Sequence, residues 1–219
     1  MNKRLQTLKY YFSVEGETEY LYLMWLQDKI NETGSCRVKF DAKIEKSPLK
    51  RTRGLPIIQT TEIWHFCDYE SPDRKHVKQF ENTIDEMIKS GKDKEVVYHL
   101  GYSNFTFELW MILHKKDCNG PKSHRKQYLE EINEAFEENF KTLRQYKQEK
   151  EFTRCLSKLT LDDVRVAVSR ARAIMKNKKT ADTPVLYKDY PYYSNNPALA
   201  VHEIIEQILA DCGLNRKRR

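Results

Sequence analysis

Short β-rich runs alternate with segments of helical periodicity between residue 9 and about residue 115. The predicted strands are Lys9–Val14, Cys36–Ile44, Ile63–Cys67 and Glu95–Leu100. Predicted helices follow three of them, at residues 18–31, from 73 to about 91, and from 105 to 113, whereas Glu45–Pro56 reads as a basic, mobile loop. This alternation predicts an α/β fold, with an open, mainly parallel sheet of about four strands flanked by helices.

The remainder of the chain is predicted to be mostly helical. No strand signal occurs between Lys122 and about Lys179, and one apolar stripe there consists of Val164, Val168, Ala171 and Met175. A tyrosine-rich, irregular stretch (residues 182–197) precedes a last helix. We therefore predict an α/β core over residues 1–118 and a basic helical insertion over 119–181. Residues 182–219 are expected to form an irregular segment and a C-terminal helix that packs back on the core.

Composition narrows the class of protein. The formal net charge is +7 and the sequence pI is about 9.0, which favours a polyanionic partner. No apolar run approaches the roughly 20 residues that span a bilayer, and the N-terminus lacks the apolar segment of a secretory signal. The five cysteines are scattered and form no CxxC pair. We therefore expect a cytoplasmic protein in which most thiols are reduced and serve as small core residues.

Acidic residues follow two of the predicted strands. Glu15 comes directly after the first strand, where Gly16 permits a tight turn, and Asp68 and Glu70 follow the third. Ligands of open α/β sheets bind outside the carboxyl ends of the strands, and residues two apart in extended backbone project to the same side. If the strands are neighbours, Glu15, Asp68 and Glu70 converge. A set of oxygen ligands without matching histidines or cysteines favours Mg²⁺ or Mn²⁺ over zinc.

Four segments, in order along the chain, resemble one known family. They are "FSVEGETEYLY" with an E-G-x-T-E pattern, the acidic strand end "WHFCDYE", "YSNFTFELWMILH" and "NNPALAVHEIIEQI". In this order they resemble the RloB-like family, relatives of the Toprim-domain nucleases. The resemblance implies a Toprim-like fold, a divalent-metal acidic centre and a role in bacterial defence against phage. It also implies that Glu15 is a metal ligand or general base and that Asp68 and Glu70 are metal ligands.

The chain departs from the family pattern at two positions, and purely structural roles for the three acids remain open. Glu70 stands where the family has the second aspartate of D-x-D, which lengthens that side chain by one methylene, and Phe105 replaces a proline. Glu15 could instead be a partner of the dipole of the following helix. Asp68 and Glu70 could belong to an ordinary acidic turn.

Three further residues are candidate catalytic groups. Glu19 lies four residues after Glu15 and either assists the acidic cluster or caps the first helix. Glu108 lies among apolar residues, where a buried acid needs a partner, so it is either a second acid of the site or the partner of a lysine. His114 either contacts a phosphate or the metal, or is a structural histidine. His114, Cys118 and His124 fall short of a structural zinc site.

A local excess of basic residues predicts a surface for nucleic acid. Between Lys141 and Lys179 there are 12 Lys/Arg against 4 Asp/Glu. Two rows at helical spacing are predicted to contact phosphates: Lys147, Lys150, Arg154 and Lys158, and Arg165, Arg172, Lys176 and Lys179. A solvated helix face is the alternative. Tyr187, Tyr190, Tyr192 and Tyr193 are either a stacking surface for unpaired bases or a packed segment. Residues 216–219 read as a flexible basic arm.

These features favour a metal-dependent nuclease acting on DNA or RNA, tRNA included. The alternative from another class is a non-catalytic subunit that docks nucleic acid or a defence partner. The chain contains no GxxxxGK[ST] loop, so any NTP-driven step would require a companion ATPase.

Overall fold

A computed structural model describes residues 6–215. The main sheet has five strands in the order β2-β1-β3-β4-β7, and the first four strands of that order are parallel. The strands are β1 (Thr7–Val14), β2 (Arg37–Ile44), β3 (Thr61–Asp68), β4 (Val96–Asn104) and β7 (Ala198–Leu199). The short strand β7 is antiparallel to β4. The predicted N-terminal features at residues 1–5 and the basic arm at 216–219 lie outside the described residues.

Nine helices are found in the described part of the chain. They are α1 (Glu17–Glu32), α2 (Pro48–Arg53), α3 (Arg74–Asp93), α4 (Glu108–Leu113), α5 (Tyr128–Phe136), α6 (Leu143–Tyr146), α7 (Glu149–Ser157), α8 (Leu161–Ala181) and α9 (Val201–Asp211). A single 3₁₀ turn precedes α5. None of these helices combines the length and apolar character that crossing a bilayer requires.

The sheet is covered on both faces because its side chains alternate between two apolar clusters. Phe12, Val14, Phe40 and Phe66 belong to the cluster that α1, α4, α5 and α7 to α9 complete. Ile63, Cys67, Tyr98 and Tyr102 belong to the other cluster, which packs against α3. Parallel strands buried on both faces match the predicted α/β architecture.

The helical segment after residue 118 shares the core of the sheet. Its buried side chains Tyr146, Phe152 and Val164 belong to the same cluster as Phe12 and Leu23. The predicted apolar stripe along α8 is packed against this cluster, with Val164, Val168 and Ala171 buried and Met175 half-buried. The helical segment is therefore packed against the sheet, and this packing holds Lys147 in position.

The segment predicted as a mobile basic loop, Glu45–Pro56, contains helix α2. Ser47 caps this helix by accepting the N–H of Lys50, and Pro48 occupies its first turn. Arg51 is buried, and its guanidinium donates to the Phe12 carbonyl at 3.1 Å and to the Asp41 carboxylate at 2.7 Å. The prediction failed because the cationic side chain that suggested a solvated loop is satisfied by partners distant in sequence.

The tyrosine-rich stretch is more regular than predicted. It forms a hairpin of β5 (Val185–Tyr187) and β6 (Tyr190–Tyr192) and then supplies β7, which the sequence pattern did not indicate. Tyr192 and Tyr193 are buried in the α3-side cluster, and the Tyr190 hydroxyl donates to the Tyr98 carbonyl at 2.9 Å. The geometry favours the packed-segment interpretation over a surface for stacking bases.

The cysteines divide into two groups. Cys67, Cys118 and Cys155 are buried free thiols, as expected of small core residues. Cys36 and Cys212 form a disulfide that ties the end of α9 to the start of β2. The expectation of reduced thiols therefore fails for this pair, which the wide sequence separation concealed.

Candidate acidic centre

Glu15 and Asp68 meet at the carboxyl ends of two neighbouring strands. Val14, the last residue of β1, is in register with Phe66 of β3, and Asp68 ends β3. The backbone N–H of Asp68 donates to Oε2 of Glu15 at 3.3 Å. The edge of the sheet thus brings together two acids that lie far apart along the chain.

Asp68 is held in place from the other side by the segment before α4. Its Oδ1 accepts the backbone N–H of Phe107 at 2.9 Å. Burial raises the pKa of the Asp68 carboxyl well above its usual range, and the charges of Glu19 and Glu108 raise it further. Asp68 is therefore an oriented carboxyl in a surplus of negative charge.

Glu19, in the first turn of α1, projects into the same centre. Only 4% of this residue is exposed, and its Oε2 accepts the Thr18 hydroxyl at 3.0 Å. Burial raises its pKa; Glu108 adds to the rise and Lys147 opposes it. Of the two roles predicted for Glu19, the structure favours membership of the acidic cluster.

The structure explains the glycine at position 16 by something other than the predicted tight turn. Its φ of −146° is extended backbone, which any residue adopts. However, a Cβ atom there would lie 3.0 Å from Oε2 of Glu19. The glycine is therefore explained by the close approach of the Glu19 carboxylate rather than by backbone strain.

Glu108 and Lys147 form a salt bridge next to Asp68 and Glu19. Glu108 begins α4 and is 1% exposed, and its Oε1 lies 2.9 Å from the Lys147 ammonium. Its second oxygen, Oε2, is buried without a hydrogen-bond partner. Burial lowers the pKa of Lys147, but the charges of Glu108, Asp68 and Glu19 outweigh it and raise that pKa above its usual value. Lys147, whose side chain is 40% exposed, therefore stays charged where it contacts the cluster.

The pKa of Glu15 is shifted into the neutral range. Burial raises it to about 7, and repulsion from Glu19 and Glu70 adds to the shift. The N–H of Asp68 and the charge of Lys46 act in the opposite direction. A carboxyl with this pKa exchanges protons at neutral pH, which suits a general base.

Glu70 is not assembled with Asp68 and Glu15 into the predicted three-carboxylate set. The extended backbone ends at Asp68, and Glu70 has a φ of 60°, so the alternation of an extended strand, on which the prediction rested, does not continue to Glu70. Oε2 of Glu70 lies 3.1 Å from His76, and Oε1 lies 3.2 Å from Arg125. Across residues 6–215, no three acidic, histidine or cysteine side chains are grouped so as to hold a metal ion. The predicted trio is wrong in this respect.

His114 is a core residue. It is 1% exposed; its Nδ1–H donates to the Trp110 carbonyl at 3.0 Å, and its Nε2 lies 3.2 Å from the Tyr22 hydroxyl. Burial lowers its pKa to about 4. A neutral ring with both nitrogens engaged fits the structural alternative, and the predicted contact with phosphate or metal does not fit.

The two predicted basic rows are largely neutralised. Arg154 and Lys158 each lie 2.7 Å from Glu138, Arg172 lies 2.9 Å from Glu206, and Arg165 pairs with Asp162. Two of these acidic partners, Glu138 and Glu206, lie outside the segment whose charge suggested the surface. Lys147 points into the acidic centre. The members that are exposed and make no ion pair within the described part are Lys150, Lys176 and Lys179.

A pocket of about 480 Å³ opens beside the acids. Its lining includes Glu15, Asp68 and Glu70 together with Lys46 and Lys75. Carboxylates next to lysines in one cavity provide places for a cation and for an anionic substrate group. Sequence reasoning missed both lysines, since neither belongs to a helical row or to a recognisable motif.

Comparison with known proteins gives one match. A family model described as RloB-like protein matches residues 10–208, nearly the whole chain. No curated protein and no solved structure matches the chain.

Proposed function

The chain belongs to the RloB-like protein family, and we propose that it is a metal-dependent nuclease that hydrolyses phosphodiester bonds of DNA or RNA. One observation carries the proposal. Carboxyl groups from the end of β1, the first turn of α1, the end of β3 and the start of α4 crowd together beside a pocket whose lining also includes two lysines. Such crowding is costly unless cations or protons compensate it.

The residues fit a magnesium or manganese ion held by two carboxylates. Mg²⁺ usually retains several water ligands and binds through one or two carboxylates together with substrate phosphates, so a group of three protein ligands is not required. Glu15 and Asp68 would hold the ion, and Glu70 would not. Burial is the main cause of the raised pKa values of both carboxyls, and the charges of neighbouring acids add to it; a cation would relieve that repulsion. Bound there, the ion would supply Lewis-acid stabilisation of the reacting phosphate and a more acidic water.

Proton transfer and phosphate binding fall to different side chains. Oε2 of Glu15 accepts the Asp68 N–H, and within the described residues Oε1 makes no hydrogen bond. Oε1 is therefore the atom that contacts the ion or accepts the proton of an attacking water. Lys46 and Lys75, which line the same pocket, bind the substrate phosphates. Lys150, which is exposed at the start of α7, is a further candidate for contact with phosphates.

The motif resemblance supports the wider assignment. It implies a sheet of the Toprim type and a role in bacterial defence against phage, and both belong to the proposal. A companion ATPase would provide any nucleotide-driven step.

A cleavage assay tests the proposal. Purified protein is incubated with plasmid, total RNA and tRNA in Mg²⁺ or Mn²⁺. Cleavage should stop in EDTA and should fall by about 10² or more in Glu15→Gln and Asp68→Asn. Glu17→Gln is the matched control, because Glu17 is exposed and its loss changes the charge equally two residues away. Cleavage that persists in EDTA, or that both site variants retain, contradicts the proposal.

One observation favours a second candidate, a binding subunit without catalysis. Glu70, which replaces an aspartate of the family pattern, is engaged by His76 and Arg125 rather than by the acidic centre. This candidate predicts salt-sensitive binding of nucleic acid that is unaffected by chelator, with no cleavage of any of the three substrates.

A further inference from the structure

The backbone that presents Lys147 is rigidly packed. The preceding residue, Tyr146, is buried, and its ring lies 5.5 Å from that of Phe152 and 5.7 Å from that of Phe140. The N–H of Lys147 itself donates to the Leu143 carbonyl at 2.9 Å. The lysine side chain therefore projects from a fixed support, and its ammonium is brought to Glu108 by the fold rather than by a mobile loop.

The centre carries more carboxyls than cations, so only protons or a further cation can balance its charge. Glu15, Glu19, Asp68 and Glu108 contribute four carboxyls, and Lys147 contributes one ammonium that bonds directly to Glu108. The attraction of that ammonium extends to Asp68 and Glu19. The second oxygen of Glu108 remains buried and unpaired, an independent sign that the cluster is arranged around positive charge.

We propose that Lys147 is a built-in cation of the acidic centre, so that the centre takes one divalent ion, at Glu15 and Asp68, instead of two. In two-metal phosphodiesterases a second ion neutralises the additional carboxylates. Here the Lys147 ammonium neutralises the charge of Glu108, which leaves one site for a metal ion. Lys147 is a positioning residue, since it acts through Glu108 and Asp68. The inference rests on the proposed function, because it presupposes a metal at Glu15 and Asp68.

Replacing Lys147 should change the number of metal ions that the centre binds. Lys147→Met keeps the aliphatic stem and removes the charge, so Glu108 and Glu19 become available to a second ion. Lys147→Arg keeps the charge and should keep the single site. Combining Lys147→Met with Glu108→Gln removes one positive and one negative charge together, so the double variant should again bind one ion.

The test counts Mn²⁺ ions bound per full-length chain by electron paramagnetic resonance of free Mn²⁺, without any activity measurement. The wild type should bind one ion and lose it in Glu15→Gln. Lys147→Met should bind a second ion at least about tenfold more tightly than the wild type does. If Lys147→Met does not fold, Lys147→Gln, which also removes the charge, takes its place and should likewise bind a second ion.

The outcomes separate the two proposals. A wild type that binds no Mn²⁺ overturns the proposed metal centre and this inference with it. A wild type that binds one ion, with the same single ion in Lys147→Met, overturns only the role of Lys147. Two ions bound by the wild type also overturn that role alone.

Discussion

The ammonium of Lys147 lies 2.9 Å from Oε1 of Glu108, a carboxylate with 1% of its side chain exposed. This salt bridge joins the helical segment after residue 118 to the edge of the sheet where Glu15 and Asp68 meet. The segment predicted to contact nucleic acid thereby supplies a residue to the acidic centre itself. The stability, metal binding and chemistry of the protein should consequently be coupled through this pair.

Removing the Lys147 charge should destabilise the fold through Glu108. Lys147→Met leaves a buried carboxylate unpaired, which should lower the free energy of unfolding by about 1–3 kcal/mol at pH 8. The double variant with Glu108→Gln should recover part of this loss. Urea denaturation of both single variants and the double variant measures the coupling. Lys150→Met, at an exposed lysine, is the control; equal losses in Lys147→Met and the double variant would refute the coupling.

Stability in the absence of divalent ions should fall as pH rises towards neutrality. Burial raises the folded-state pKa of Glu15 to about 7 from 4.5. Between these values the folded state binds more protons than the unfolded chain, so rising pH costs stability, by at most about 3 kcal/mol from Glu15. Above about pH 7 this contribution is constant. Denaturation curves from pH 5 to 8 should show a smaller slope in Glu15→Gln than in the wild type, and identical slopes would disprove this origin.

Gly16→Ala should disturb the centre more than the fold. The added Cβ would approach Oε2 of Glu19 to 3.0 Å, so the carboxylate must move by a few tenths of an ångström. We expect Mn²⁺ binding to weaken several-fold while the melting temperature changes by a few degrees. Gly120→Ala is the matched control, because nothing lies within 4 Å of its added Cβ. Unchanged Mn²⁺ affinity in Gly16→Ala would show that the close approach has no functional weight.

Glu70 and Asp68 should differ sharply in their effect on metal binding. Asp68→Asn should abolish Mn²⁺ binding, whereas Glu70→Gln should weaken it by less than about threefold, since Glu70 is paired with His76 and Arg125. Titrating both variants with Mn²⁺ under the same conditions measures the two affinities. Equal losses would restore the three-carboxylate set that the sequence suggested.

The cysteine pairing predicts a thiol count. Denatured protein prepared without reductant should react at three thiols, Cys67, Cys118 and Cys155, and at five after reduction. Cys212→Ser should leave four reactive thiols without reductant. Five reactive thiols in unreduced wild type would show that Cys36 and Cys212 are not joined.

Local patterns predicted much of the α/β part of the fold. Strands β1 to β4 and helices α1 and α3 lie close to their predicted positions, because the periodicity of apolar residues reflects directly which faces are buried. The shorter elements were not predicted. Helix α2 and the strand β7 are too short to show a period, and their buried groups, such as Arg51, are satisfied by partners from other elements.

The sequence by itself determined that acids follow strand ends, since the order of strands, glycines and carboxylates is a local property of the chain. Glu15 and Asp68 were identified in this way, and their encounter requires only that β1 and β3 be neighbours. Tertiary structure alone decided which other charges join them. Lys147 resembles every other lysine of a basic helix row until packing brings its ammonium to Glu108. Glu70 resembles every other strand-end acid until packing pairs it with His76 and Arg125. The energy of a charge depends on its surroundings in space, and a one-dimensional pattern does not contain them.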